Sequence, residues 1–208
     1  MKRLLFLLFV LMSTSIFAQT YYNSNNELIT KYEFDSLKLF KYHMVVKNDS
    51  LSTFKLIDIC NRSEVGSLGD SKNLLRELNQ NLNLNLNDSK PLIIYYYPGN
   101  NECNQSAIST RKSQLKWDRK LQKKIDKISE VNVLRIYKNK EGIKTLGDYN
   151  WKKDPNALIE NLFFNYHYNC GSFVVILKDK YAAFFGEYSH NDVLFNLVYL
   201  LKQNKTTL

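Results

Sequence analysis

Residues Lys90–Cys103, K-P-L-I-I-Y-Y-Y-P-G-N-N-E-C, decide how the chain is read. Every position from Leu92 to Tyr97 is apolar or aromatic. A strand with one wet face alternates, so an unbroken run of β-favouring residues predicts a central strand covered on both faces. Pro98-Gly99-Asn100-Asn101 is turn chemistry. Cys103 then opens a predicted helix that extends, with a break, to Ile128.

Downstream, Val131–Tyr137 repeats the dense apolar pattern and predicts a second strand. Lys138–Asp154 is a long polar loop containing Gly142, Gly147 and Trp151. Asp154-Pro155-Asn156 begins a helix, with Pro in the first turn, where its missing N–H costs little. Ala157, Leu158, Leu162 and Phe163 are its core-facing residues. Phe173–Leu177 and Tyr181–Phe185 form a hairpin across Lys178-Asp179-Lys180. A last helix, Asp192–Lys202, buries Val193, Leu194, Leu197, Val198 and Leu201.

Upstream, Asp70 or Ser71 caps a helix running to about Leu78, with Leu74, Leu75 and Leu78 on one face. Gly66–Asp70 reads as a loop. Tyr42–Val46 and Ser52–Ile59 form a hairpin across Lys47-Asn48-Asp49-Ser50. Tyr21–Leu39 is a loosely ordered entry and a short helix, with Tyr32, Phe34, Leu37 and Phe40 as candidate buried residues. Asn81–Asn87 alternates Asn with Leu and fits either a half-buried strand or an extended connection.

The N-terminus sets the expected compartment. Lys2 and Arg3 precede an apolar run, Leu4–Met12, and Ala18 offers a small residue for cleavage. Residues 1–18 therefore read as a signal peptide, and the run is shorter than the ~20 residues that span a bilayer. The expected destination is the periplasm or the cell exterior, with no stable membrane span after cleavage. The remaining residues suit one compact domain with a short N-terminal extension. The 44% hydrophobic content supports a real core.

The chain carries +9, and loss of Lys2 and Arg3 leaves 27 basic against 20 acidic residues, +7. The densest block is Arg111–Lys127, an amphipathic helix with Leu115, Leu121, Ile125 and Ile128 as its stripe and Trp117 at the flank. A solvated basic face is the plain reading; an acidic polymer, lipid surface or protein is the sharper one. Nucleic acid is not an expected partner for an exported chain. Cys60, Cys103 and Cys170 are too few for a disulfide scaffold, and their odd number leaves one outside any intramolecular pair.

The element order from Ser52 to Lys202, β-α-β-α-β-α-β-β-α, resembles the thioredoxin-like fold. The expected fold class is therefore α/β, a central mixed sheet flanked by helices, with residues 52–208 as the thioredoxin-like domain and 19–51 as a β-hairpin extension. In that family a C-x-x-C pair opens the helix after the buried strand, and the helix N-terminus activates the first thiol. In the matching register Asn100 occupies the nucleophile position and Cys103 the resolving position. Ile94 stands where the family has a buried acid, and Gly171 where it has a cis-proline. The resemblance implies a redox-degenerate member.

The same resemblance brings the loop of Cys170, Gly171 and Ser172 beside the start of the first helix. Cys103 and Cys170 are then either a non-local disulfide or two separate buried thiols, while Cys60 is expected in the core. The face formed by Pro98, Gly99, Asn100, Asn101, Glu102 and Cys103 with Cys170, Gly171 and Ser172 is the candidate binding surface, for a protein or envelope partner. The alternatives are a thiol–disulfide oxidoreductase or redox switch using Cys103 with Cys170 or an external thiol, and a structural envelope protein without a ligand.

No cofactor or metal is expected. His167 and Cys170 have ligand-like spacing, but with Cys103 they make only three ligands. A Cys103–His167 hydrolase lacks an identifiable orienting group and oxyanion hole. The chain has no phosphate-binding glycine motif, no G-x-S-x-G and no H-E-x-x-H. Tyr95-Tyr96-Tyr97 and Phe184-Phe185 read as core, because consecutive strand residues face opposite sides.

Overall fold

Leu92–Tyr97 is buried along its whole length and forms the strand around which the larger of two sheets is built. The computed structural model describes residues 19–48, 51–101, 103–104, 110–143, 150–166 and 168–205. In chain order the elements are β1 (Thr20–Tyr22), β2 (Leu28–Ile29), α1 (Lys31–Lys38), β3 (His43–Asn48), β4 (Thr53–Asp58), β5 (Ser63–Ser67), α2 (Ser71–Leu82) and β6 (Leu92–Tyr97). Then follow α3 (Arg111–Ile125), β7 (Asn132–Tyr137), β8 (Lys152–Lys153), a 3₁₀ turn (Pro155–Ala157), α4 (Leu158–Phe163), β9 (Ser172–Leu177), β10 (Lys180–Phe184) and α5 (His190–Lys205). The protein is α/β, with two mixed sheets and five α-helices among the described residues.

The chain divides into two units after Ile59. In the first unit a four-stranded sheet runs β2-β1-β4-β3. β3 and β4 are the expected hairpin, paired from His43↔Asp58 to Asn48↔Thr53. β1 adds to β4 in parallel, Tyr21 opposite Phe54. Thr30 caps α1, and Glu33 returns the bond to the Thr30 N–H, a capping box. Tyr21, Phe34 and Leu56 make the small core of this unit. Of the residues expected to be buried here, Phe34 is, whereas Tyr32 is 83% exposed and Phe40 61%. A two-turn helix over a four-stranded sheet buries only one narrow face, and Tyr32 and Phe40 lie off it.

Placement of Ser52–Ile59 in this sheet departs from the sequence expectation, which set the domain limit between residues 51 and 52. The local hairpin with β3 and the parallel pairing with β1 hold β4 here. The outer strand of the larger sheet is β5 instead, within a stretch expected to be partly loop. It pairs antiparallel with β10, from Ser63↔Phe184 to Ser67↔Lys180. Its exposed Glu64 and Val65 give no alternating pattern.

The larger sheet runs β5-β10-β9-β6-β7-β8. β6, β7 and β8 are mutually parallel, while β9 is antiparallel to β6 and β10 antiparallel to β9. One face carries Ile93, Tyr95, Phe173, Val175 and Phe184, packed against Leu121 and Ile125 of α3 and Val193, Leu197 and Leu200 of α5. Residues of the opposite parity, Ile94, Tyr96, Val174 and Ile176, are equally buried. On that side Tyr96 stacks on Phe164 at 4.9 Å, and Phe163 of α4 meets Tyr181 edge-on at 5.1 Å.

Several local expectations shift. Asp70 does cap α2, accepting from the Asn73 N–H at 2.9 Å, but the helix runs on to Leu82. Asn83 ends it in the left-handed conformation, which Asn tolerates. The Asn–Leu alternation is thus partly helix, and the Asn79 side chain holds Leu86 N–H at 2.8 Å. Asn156 and Ala157 break the helix after Asp154 with φ of +51° and +54°, so α4 is short and buries Ile159 and Phe163 while Leu162 is 45% exposed. Cys60 is exposed rather than in the core. Residues 1–18, where a signal peptide was expected, and Glu102 lie outside the described residues.

Candidate functional site

The antiparallel pairing of β6 with β9 builds the site. Its register places Tyr96 opposite Ser172, so the turn after β6 lies beside the loop before β9. Cys103 and Cys170 meet there as a disulfide, Cα–Cα 5.2 Å apart and separated by 67 residues. Asn101 ties the same two loops through its Oδ1, which accepts from the Asn104 N–H at 3.0 Å and the Cys170 N–H at 3.4 Å. The Asn104 side chain donates back to the Gly99 carbonyl at 2.8 Å. Cys103 and Asn104 are helical, and the next described helix, α3, begins at Arg111 with Thr110 as its cap.

The glycines here are positional. Gly99 has φ of +119°, and a Cβ on it would lie 2.9 Å from the Asn139 Cβ. A Cβ on Gly171 would press to 3.2 Å from the Tyr96 carbonyl oxygen, across the strand pair.

Beside the disulfide opens a cleft of about 370 Å³, whose lining includes Cys170, Gly171 and Asn104. Its walls are aromatic. Tyr95, Tyr96 and Tyr97 border it at the end of β6. Trp117 comes from α3, Trp151 from the approach to β8 and Tyr188 from the segment after β10. Tyr188 stacks on Tyr95 at 5.9 Å and meets Trp117 edge-on at 6.0 Å; Trp151 meets Tyr97 edge-on at 6.1 Å. The indole Nε1–H of Trp151 and the side-chain amide Nδ2 of Asn101 are buried and make no hydrogen bond among the described residues.

The charged groups of the cleft are Arg135, whose guanidinium sits 5.3 Å from the Tyr95 ring centre, Asp118 at 3.9 Å from Arg135, and Glu187 on the exposed rim. Burial, reinforced by Tyr95 and Asp118 and opposed by Arg135, pushes the Tyr188 hydroxyl well above its usual pKa. Tyr188 therefore stays a neutral wall at any physiological pH.

The structure brings some of the expected site residues together and not others. Cys103 and Cys170 are joined, and Gly171 lines the cleft. Pro98 and Gly99 are buried and do not line it, and only Asn100 of that turn is exposed. Ser172 is buried and accepts from the Gly186 N–H at 3.0 Å, which makes it a structural residue. Trp151, Tyr188, Arg135 and Glu187 carried no sequence signal, because three separate segments deliver them to the cleft.

Cys103, Cys170 and Glu187 bring possible ligand atoms within 4.8 Å of one another. Sulfurs bonded to each other are not thiolate ligands, so this set meets the requirement for metal binding only when reduced. His167 lies outside the described residues. Among the described residues no helix is long and apolar enough to cross a membrane. No protein-family model, curated protein or solved structure matches the chain.

Proposed function

We propose that the chain is an exported, redox-degenerate thioredoxin-like domain that binds a protein or envelope partner at the cleft beside the Cys103–Cys170 disulfide. The observation that carries this reading is the aromatic cleft with an unused donor, Trp151 Nε1–H, next to a cystine in place of a dithiol. Apolar plates with a few placed polar groups are what a binding site needs. A buried donor left unpaired favours an occupant that brings an acceptor, such as a peptide carbonyl.

Strand order supports the fold assignment. β10-β9-β6-β7, with β6 and β7 parallel and a closing hairpin and helix, is the order the thioredoxin-like resemblance implies. Two features weigh against dithiol turnover: Asn100 stands at the nucleophile position, and the one cysteine at the helix start is bonded across 67 residues.

The test has two arms on the oxidised protein. A library of extended peptides is screened, and binding is followed by tryptophan fluorescence. Trp151→Phe keeps the plate and removes the N–H, and is expected to weaken the selected peptide about tenfold, the worth of one good hydrogen bond. In the second arm, dithiothreitol-driven reduction of insulin is expected at the uncatalysed rate. Turnover above that rate, lost in Cys103→Ser, would replace this reading with the oxidoreductase one. A library that yields no binder would end it.

A further inference from the structure

Helix α3 carries seven cations and one acid in 15 residues. Its acid, Asp118, is turned inward toward Arg135, and Gln114 lies 3.4 Å from its other oxygen. The apolar side, Leu121 and Ile125, is buried in the sheet core. Apart from Ser113, the exposed positions of the helix are all cationic. Lys112, Lys116, Lys120 and Lys124 follow at intervals of four, about 6 Å apart along roughly 18 Å of helix. Arg119 and Lys123 widen the row. None of these six forms an ion pair among the described residues.

This arrangement opposes helix stability. Like charges at i, i+4 repel, and the 112/116, 116/120, 119/123 and 120/124 pairs are all of that kind. Arg111 and Lys112 occupy the first turn, which has no acidic residue, where the helix dipole disfavours cations.

The row also borders concave surface. Lys116, Lys120, Lys123 and Lys124 line a groove whose other wall is Ser189, His190 and Asn191, the entry to α5. The first turn of that 16-residue helix carries Asp192, whose carboxylate accepts from the Ser189 N–H at 2.7 Å and the Ser189 hydroxyl at 2.8 Å, so the positive potential of the groove comes from its four lysines. A second hollow, lined by Lys112, Arg119 and Lys120 among others, flanks the same ridge.

We propose that the ridge of α3 and the first turn of α5 form a binding groove for a linear anionic polysaccharide. Charge complementarity names the sign, and the regular cation spacing over several turns names a repeating polymer rather than a point anion. A lipid surface fits less well, because an interfacial helix needs a free apolar face and α3 has spent its own on the core. Single-stranded nucleic acid calls for exposed aromatic plates. Trp117, the aromatic residue at the groove, is packed against His190 at 4.3 Å and Tyr188 at 6.0 Å.

The full chain is titrated with a fluorescent heparin oligosaccharide by anisotropy. Binding is expected to weaken roughly a thousandfold between about 50 and 200 mM salt if some six charges are neutralised, by analogy with other polyanions. The triple variant Lys116→Ala/Lys120→Ala/Lys124→Ala, all exposed positions, is expected to lose about a hundredfold. A control of equal charge, Lys72→Ala/Lys140→Ala/Lys205→Ala, is expected to stay within about threefold. His190 supplies an independent signal. Its Nε2–H donates to the Trp117 carbonyl at 3.0 Å, and burial, with Lys124 and Lys120, holds its pKa below the usual histidine value. Bound sulfates offset those lysines, so its imidazole resonances are expected to titrate higher in the complex. Equal binding by the two triple variants overturns the proposal. So does an oligonucleotide of matched charge that binds as tightly, or binding to anionic phospholipid vesicles without binding to the soluble polysaccharide.

Discussion

Removal of the Cys103–Cys170 cross-link is expected to cost more stability than any other pair of substitutions at the site. The bond closes a loop of 67 residues. In the chain-entropy account the unfolded ensemble regains about 14.6 cal/mol/K on losing such a loop, or about 4.4 kcal/mol at 25 °C. For a domain of this size that corresponds to a fall in Tm of roughly 9–18 °C. The double variant Cys103→Ser/Cys170→Ser is compared with oxidised protein in guanidinium unfolding. Both tryptophans of the chain, Trp117 and Trp151, lie after Ile59, so their fluorescence reports only the unit that contains the disulfide. Wild-type protein in excess phosphine reductant should unfold with the double variant. Alkylation and mass spectrometry without reductant should find one reactive thiol among the three cysteines. Two results refute the reasoning: three alkylated cysteines in native protein, or oxidised and double-variant proteins within about 1 kcal/mol of each other, since the loop term would then be absent.

Three further outcomes follow from the geometry. Asp154→Ala removes acceptors from the Ile159 and Glu160 N–H groups, at 3.0 and 2.9 Å, and is expected to cost about 1–2 kcal/mol in the same unfolding assay. Burial raises the Asp154 carboxyl above its usual value despite those bonds, so the folded state holds its proton more tightly than the unfolded chain does. Its contribution to stability therefore falls as pH rises through that window, and Asp154→Asn should abolish this slope. Gly99→Ala places an L side chain at φ +119°, 2.9 Å from Asn139 Cβ, and is expected to cost about 1–3 kcal/mol by thermal melting. His190, with its pKa depressed first by burial, stabilises fully above the ordinary histidine value and loses that contribution as pH falls toward its folded value. Lys120→Ala/Lys124→Ala should move its NMR titration upward, and an unchanged midpoint would show that the lysine field does not reach the ring.

Elements whose burial pattern is local were legible in the sequence. Leu92–Tyr97 announces a strand covered on both faces, and it is buried at every position. The hairpin of β9 and β10 and the closing helix are marked by short-range turns and periodicity; the strands form within a residue of their expected limits, and the helix starts two residues earlier and ends three later than expected. The β3–β4 hairpin is equally plain, but its allegiance is not. Nothing within Thr53–Asp58 says that Thr20–Tyr22 will pair with it, rather than the strand serving the larger sheet. β5 was invisible for the converse reason. An edge strand with exposed Glu64 and Val65 has no periodicity to show, and its partner β10 lies more than a hundred residues away. The identity of the two loops that meet was inferable only through a fold resemblance; the distance between them was not.

By itself, then, the sequence determined which segments are strands and helices wherever an apolar face repeats at the period of 2 or 3.6, because burial of each residue is coupled to its near neighbours. It also placed the cationic row on α3, since a helix of known period puts residues four apart on one side. Tertiary structure alone decided what those elements enclose. The β6–β9 register sets Cys103 against Cys170, and α3, the approach to β8 and the segment after β10 deliver Trp117, Trp151 and Tyr188 to one cleft. Such contacts join residues far apart in the chain, and their free energy depends on loop closure and on packing of the whole core, which no local pattern of residues encodes.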